Sequence, residues 1–368
     1  MDRFATLPAM DELPAAEAIG SAIQDEAGIC GGCGAKVGAP GLAAVLADLA
    51  EEFPRYCPPQ GFADDVSPIP DAGGLPVVQS LDLLRELVAD PWLMGRIAAN
   101  HALSDLYACA AMPLSALAAV TLPFARDALL QRDLRQVLAG ALHEFAQADC
   151  QLSGGHSMQG PELLLGFAVN GLAMNPERGL LAKRGARVGD ALVLTKPLGT
   201  GVLFAAHMRQ LADGRYIAAA IAMMLQSNRI AAELALAHGA SASTDVTGFG
   251  LLGHLLEMLG EKQAASVTLS AIPALAGARE LLAAGVRSTM HEANGELMEE
   301  LEFATGVEHN GADLLLDPQT SGGLLVALDP ARADEYCAQL LAKGFSQAAR
   351  VGVIEGVDGV AGRVRLQA

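Results

Sequence analysis

Five aspartates at four places and one cysteine–lysine pair carry the chemistry available to this chain. Asp64-Asp65 follow Gly61 in a loop, Asp82 ends an apolar strand, Asp105 lies in a helix, and Asp245 ends a strand before a glycine turn. Carboxylates at strand ends face the crevice where sheet-and-helix folds bind ligands. Their hard oxygens suit Mg²⁺, which takes a few carboxylates and shares substrate phosphates. Any one of them alone is more simply a cap or turn former. Cys33 and Lys36 stand three residues apart in a glycine-rich segment. An ammonium there favours the thiolate and can contact a phosphate; taken alone, Cys30 and Cys33 are more simply incidental loop cysteines. Cys30-Gly31-Gly32-Cys33 has the spacing of half a zinc site, but no second such pair exists.

Two glycine-rich segments, Gly154-Gly155-His156-Ser157 and Thr247-Gly248-Phe249-Gly250, would let backbone N–H groups approach an anion. Neither matches the P-loop or the dinucleotide fingerprint, and singly each is as well read as a plain turn. His101 and Asp105 share a helix face at i, i+4, an arrangement more often structural than catalytic. His254 reads as a core or helix-surface histidine. The Met223-Met224-Leu225 cluster reads as packing.

The chain that must position these groups has 368 residues, enough for two domains. With 24 Lys and Arg against 42 Asp and Glu, its net charge of −18 opposes an electrostatic grip on nucleic acid or anionic membrane. Any phosphate is therefore held locally, by metal ions, single lysines and backbone amides. Leu106 to Ala125 carries no charge and has the length of a membrane span. Pro113, Pro123 and a strand-like stretch over 115–122 make it a buried helix–strand connection instead. No cationic start precedes an apolar run, so no secretory signal is expected. Six scattered cysteines suit a reducing compartment, and the expectation is a cytoplasmic protein.

Residues 1–29 read as a leader or linker, and the glycines around Cys30 and Cys33 predict a mobile loop. Patterning predicts a helix over about 41–53, a strand over 77–80 ending at Asp82, and a helix opening near Pro91. A strand over 115–122 precedes an amphipathic helix over 127–148. Two short strands, near 150–153 and 164–172, flank the Gly154-Gly155-His156 loop. Residues 174–189 mix Pro, Gly and basic side chains and mark the domain boundary. Beyond it come a strand over 191–195, helices over 200–238, a helix over 249–260, and strands over 324–328 and 351–354. The pattern is α+β or α/β in two halves.

In chain order, several runs together resemble the selenophosphate synthetase (selenide, water dikinase) family over about residues 30–368. They are Cys33-Gly34-Ala35-Lys36, Asp64-Asp65, Gly95 to Ala99, Ala102 to Ala108, Gly154 to Ser157, Leu194 to Gly201, Thr244 to His254 and Asp317 to Leu325. The last two are long and specific. The resemblance implies an aminoimidazole ribonucleotide synthetase-like fold, its N-terminal sheet pairing across a homodimer into a barrel and its C-terminal half an α/β sandwich. It places a mobile Cys/Lys loop in an ATP-binding, dimerising domain over 30–178 and a C-terminal domain over 179–368. It further implies that ATP, selenide and water give selenophosphate, phosphate and AMP, with Mg²⁺ and a monovalent cation such as K⁺. By motif position Cys33 matches the reactive residue, Lys36 the catalytic lysine, and Asp65, Asp105 and Asp245 the magnesium ligands. Asp64, Asp82, Gly155, His156 and Ser157 match positions around ATP; Lys36 and Asp105 also count among the nucleotide contacts.

The chain departs from the family pattern at Ala35, where many members carry a second Cys, and at Ala63, His101 and Leu81. Residues 30–36 also resemble the version joined to a flavoprotein module similar to an NADH dehydrogenase, in which case 1–29 is a linker remnant or the start of a shorter protein. Two competitors stay in view: another ATP-using enzyme of the superfamily, and a non-catalytic nucleotide- or selenium-binding module.

Overall fold

A computed structural model describes residues 66–68, 77–307, 309–357 and 363–368. The leader, Cys30, Cys33, Lys36, the helix expected over 41–53, and Asp64-Asp65 lie outside the described residues. The described chain builds two sheets. The first has five strands in the order β1-β2-β5-β3-β4. These are β1 (Ser67–Pro68), β2 (Val77–Arg85), β3 (Ala111–Pro123), β4 (Gln151–Gly160) and β5 (Leu164–Ala173), with helices α1 (Pro91–Ala108) and α2 (Asp127–Ala148) between β2, β3 and β4.

Helix α1 starts where Asp90 accepts hydrogen bonds from the Trp92 and Leu93 amides at 2.9 and 3.0 Å, with Pro91 in the first turn. Most of its surface is buried, on the sheet, on α2 and on the second half of the molecule. Gly95 and Gly140 let α1 and α2 touch: a Cβ at Gly95 would lie 2.0 Å from the Val137 carbonyl oxygen, and one at Gly140 2.0 Å from that of Trp92. An Arg96–Glu144 ion pair closes the same contact. The uncharged run from Leu106 is the end of α1 followed by β3, and no helix among the described residues is long and apolar enough to cross a membrane.

The second sheet has seven strands in the order β7-β10-β6-β11-β8-β12-β9. In chain order the second half runs β6 (Ala191–Leu194), α3 (Thr200–Met208), α4 (Gly214–Met224), α5 (Arg229–Ala237), β7 (Ala242–Asp245), α6 (Gly250–Met258) and β8 (Gln263–Thr268). Short helices α7 (Ala278–Ala283) and α8 (Thr289–Gly295), β9 (Leu301–Phe303), α9 (Asp313–Leu316) and β10 (Leu324–Leu328) follow, then α10 (Pro330–Ala342), β11 (Ala349–Gly356) and β12 (Val364–Gln367). The expected helical stretch over 200–238 is thus three helices. Nearly all buried apolar side chains of the described residues, from both halves, join one core.

Two sequence expectations change. β2 runs on to Arg85, so Asp82 is inside the strand and not at its end. Gly154-Gly155-His156 is no loop: it lies within the continuous strand β4. A Cβ at Gly155 would lie 2.1 Å from the Ala118 carbonyl oxygen, and the residue has φ 151°, so strand contact alone already demands glycine.

Candidate functional site

β2 alternates its faces, and Ser80 and Asp82 share the side that α1 covers. On α1, His101 and Asp105 are one turn apart on the face that looks back. The i, i+2 spacing of a strand therefore meets the i, i+4 spacing of a helix in two rungs. Ser80 Oγ donates to Asp105 Oδ2. His101 Nε2 lies 3.6 Å from Asp82 Oδ2.

From the other half of the molecule, the Ser321 N–H donates to His101 Nδ1 at 3.2 Å. Nδ1 is thus an acceptor, and the neutral ring carries its proton on Nε2, toward Asp82. Ser321 is a junction. Its Oγ donates to the Met224 carbonyl at 2.9 Å, its own carbonyl accepts from Lys196 Nζ at 3.1 Å, and its backbone is left-handed at φ 51°. A non-glycine residue there is strained, and its three partners hold it. Asn228 makes a parallel link, donating to Ser104 Oγ at 2.8 Å and to the Gly322 carbonyl at 2.9 Å.

Lys196 is fully buried and also donates to the Gln226 carbonyl at 2.6 Å. Burial pulls its ammonium down from 10.5 to about 7, while the Asp245 charge pulls the other way. Asp245 ends β7, is buried, and its Oδ2 has no hydrogen-bond partner among the described residues. A buried carboxylate oxygen without a donor is costly, and a cation is the partner such an oxygen calls for. The chemistry of the donors fits Mg²⁺: Asp105 and Asp245 offer hard oxygens, and the ion takes water and phosphate for the rest. Among the described residues no three His, Cys, Asp or Glu side chains form a metal cluster. Asp317, at the foot of α3, is a second buried carboxyl. Burial pushes it up from 3.8 to about 7 against bonds from Gln319, Val202 and Gly201.

Gly155, His156 and Ser157 are not in this group. In the first sheet Asp82, Phe167, Ala118 and Gly155 form one row across β2, β5, β3 and β4. Three strand spacings separate its ends, about 14 Å. The three residues are exposed on the sheet edge, beside a cavity of about 380 Å³ lined also by Leu134 and Leu138 of α2.

The structure thus brings together Asp82, Asp105, His101 and, through Ser321 and Lys196, the Asp245 region. Sequence reasoning gave no role to Lys196, Ser321, Asn228 or Asp317. One signal was available: Lys196 is the single charge between Ala191 and Ala206.

Known proteins match this architecture. The AIR synthase related protein N-terminal domain matches residues 64–173, and the C-terminal domain of the same group matches 187–365. Fold and site together therefore define a two-part AIR synthase-related protein. AaThiL complexed with AMPPCP and TMP superposes with a TM-score of 0.63 at 17% identity, covering 89% of this chain and 93% of that one. Hydrogenase maturation protein HypE in complex with ATP superposes at 0.60 and 19% identity, covering 88% and 90%. Selenide, water dikinase of Burkholderia orbicola (strain MC0-3) is 39% identical over 342 residues, 90% of this chain and 93% of that protein. The enzyme of the same name from Myxococcus xanthus (strain DK1622) is 37% identical over 332 residues, 89% and 92% of the two chains. This chain belongs to the selenide, water dikinase family.

Proposed function

We propose that this chain is an enzyme that makes selenophosphate: ATP, selenide and water give selenophosphate, AMP and phosphate. The observation that carries the reading, beside family membership, is the buried junction where Asp82 of β2 and Asp105 of α1 meet the Asp245 region of the second sheet, with a carboxylate oxygen at Asp245 that has no partner among the described residues. Phosphoryl transfer demands in-line positioning and charge neutralisation more than covalent work by the protein. In a chain of net charge −18, that neutralisation has to be local.

Asp65, Asp105 and Asp245 are the residues that would hold Mg²⁺. When bound, the ion neutralises phosphate charge and orients the nucleotide. Asp64, Asp82, Gly155, His156 and Ser157 contact ATP in this reading, with K⁺ as the monovalent cation. Lys36 touches the nucleotide and stabilises charge on the transferred group. Cys33 holds or delivers the soft selenium nucleophile, and closure of its loop excludes water from the first transfer.

The active form in this reading is a homodimer. Support comes from the face of the first sheet turned away from α1, where Leu81, Leu83, Leu117 and Met158 stand exposed together; Leu81 is 59% exposed. Monomers rarely leave such an apolar face to water. The domains are 30–178 and 179–368, preceded by the 1–29 linker, a division supported by sheets that end at Ala173 and resume at Ala191. Cytoplasmic residence is consistent with Cys109, Cys150 and Cys337 being free thiols. A longer form would add the flavoprotein module.

Phosphorus NMR with ATP, Mg²⁺, K⁺ and selenide under anaerobic reduction tests the reaction. A selenide-dependent P–Se signal with AMP and phosphate in equal amounts is expected. ATP held without turnover, or split to ADP with no P–Se signal, would replace it with a binding module or another superfamily activity.

A further inference from the structure

Several backbone groups of the turn that follows Asp245 are bonded to the chain around it. The Val246 N–H donates to the Gly323 carbonyl at 2.8 Å. The Thr247 carbonyl accepts from the Gln319 and Gly250 amides at 2.9 and 3.0 Å. The Gly248 carbonyl accepts from Asn294 Nδ2 of α8 at 3.0 Å. A second, side-chain chain of bonds nevertheless ends on this turn. Thr247 Oγ1 lies 3.2 Å from His254 Nε2 on α6. His254 Nδ1 lies 3.1 Å from Glu257 Oε2 one turn on. Lys183 Nζ, from the segment joining the two sheets, donates to the same oxygen at 2.9 Å.

The protonation pattern follows from the partners. Burial pushes Glu257 up, but the bonds from His254 and Lys183 outweigh it and hold the carboxyl at about 2. An ionised Glu257 only accepts, so His254 donates to it from Nδ1, which turns Nε2 toward the Thr247 hydroxyl. Acid, imidazole and hydroxyl stand in the order of a nucleophile relay. Thr247 and His254 are both buried, at 5% and 4% exposure, so the hydroxyl meets no substrate.

A valine at 247 would fill the same space and need none of these partners. Replacing a buried polar network by apolar groups of the same shape is often neutral for stability. Three polar side chains spent on one hydroxyl therefore point to geometry, because a satisfied network fixes one arrangement. Two residues before that hydroxyl, at the end of β7, Asp245 Oδ2 is a buried side-chain oxygen with no hydrogen-bond partner among the described residues.

We infer that His254, oriented by Glu257 and Lys183, is a positioning residue that clamps Thr247 and thereby aims the Asp245 carboxylate at its ligand. The inference rests on Asp245 being a divalent-ion ligand. Mn²⁺ binding in the presence of ATP, followed by electron paramagnetic resonance, tests it on the full chain together with thermal melts. Thr247→Val and His254→Ala are expected to weaken Mn²⁺ binding about tenfold, the low end for groups behind a metal ligand. The double variant should be no worse than either single one, and Thr247→Ser should return to within about twofold of the wild type. The near-isosteric Thr247→Val keeps the test alive if His254→Ala fails to fold.

Wild-type Mn²⁺ affinity in Thr247→Val and His254→Ala, with binding lost in Asp245→Asn, overturns the positioning role and leaves Asp245 a ligand. Wild-type affinity in Asp245→Asn overturns the ligand reading, and the positioning role falls with it. Losses that simply add in the double variant also overturn the clamp, because two independent effects are not one chain of bonds.

Discussion

In the seven-stranded sheet every residue of β6, β7 and β10 is buried, whereas in the five-stranded sheet Leu81, Leu83, Leu117 and Met158 stand in solvent on one face. Both sheets carry α-helices, so the difference is one of coverage and not of composition. The first is sealed within its own chain. The five-stranded sheet has α1 and α2 on one side and, on the other, apolar side chains that none of the described residues covers. The two sheets also differ at their polar groups. Lys196, Asp245, Asp317 and Ser321 are buried around the sealed sheet, while His156 and Ser157 sit exposed on the edge of the open one. The sealed half can tune charges by burial. The open half buries His101 and Ser104 on its α1 side and also offers a bare face, which a second copy of the chain would turn into an interior.

The largest expected effect breaks the sealed half. Asp245→Asn should lower selenide-dependent AMP formation by roughly 10³-fold, since metal charge stabilisation is worth several kcal/mol. The same variant should melt no lower than the wild type, because an unpartnered buried carboxylate oxygen costs stability. Steady-state assays and calorimetry check both halves of that statement.

The open half is probed by a charge on its bare face. Leu81→Glu should raise the dimer dissociation constant at least about 100-fold while leaving a folded monomer, because the cost of burying an unpaired carboxylate falls on association alone. Leu192→Glu, in the sealed sheet, should prevent folding. Sedimentation velocity with far-UV circular dichroism distinguishes the two; a Leu81→Glu dimer of wild-type affinity would mean the bare face meets something else.

Lys196 sharpens the comparison through pH. Its folded value of about 7 lies below the unfolded 10.5, so the unfolded chain binds more protons between them. Stability should therefore rise with pH across that window, by roughly 1.4 kcal/mol per unit, and the cost of the buried ammonium should be fully present below about 7. Lys196→Met should lose this slope. Urea melts at several pH values from 7 to 10, with a chelator present, measure it.

The smallest effect concerns the link between the halves. His101→Ala leaves the Ser321 N–H without its acceptor and should cost about 1–3 kcal/mol. Calorimetry reads it directly. A loss confined to activity, with an unchanged melting temperature, would mean that a water takes over the bond.

Local chemistry made the elements readable. The amphipathic period over 127–148 matches α2, the apolar run over 324–328 matches β10, and Asp245 does end its strand. Each depends on residues a few positions apart, which is the range over which side-chain periodicity and capping act. Motif order pointed to the family for the same reason, since each motif is a short contiguous segment. Asp82 was placed at a strand end because Asp breaks apolar patterning; in the structure α1 covers that position and His101 faces the carboxylate, so the strand continues.

What no local pattern could supply is which distant segments touch. Ser321 bonds His101 across 220 residues, and Lys196 bonds Ser321 across 125. From sequence Gly154-Gly155 reads equally as an anion cradle or a plain turn; the structure puts it in β4, where the backbone of Ala118 excludes a Cβ at Gly155. Strand order decides such pairings, and strand order follows from how two complete sheets bury their faces together. The sequence by itself determined the elements, the reactive residue types and their order along the chain. Only the tertiary structure decided that Asp105 and Asp245 flank one buried junction, because burial, and with it the charge state of Lys196 and Asp317, exists only once both sheets have closed over it.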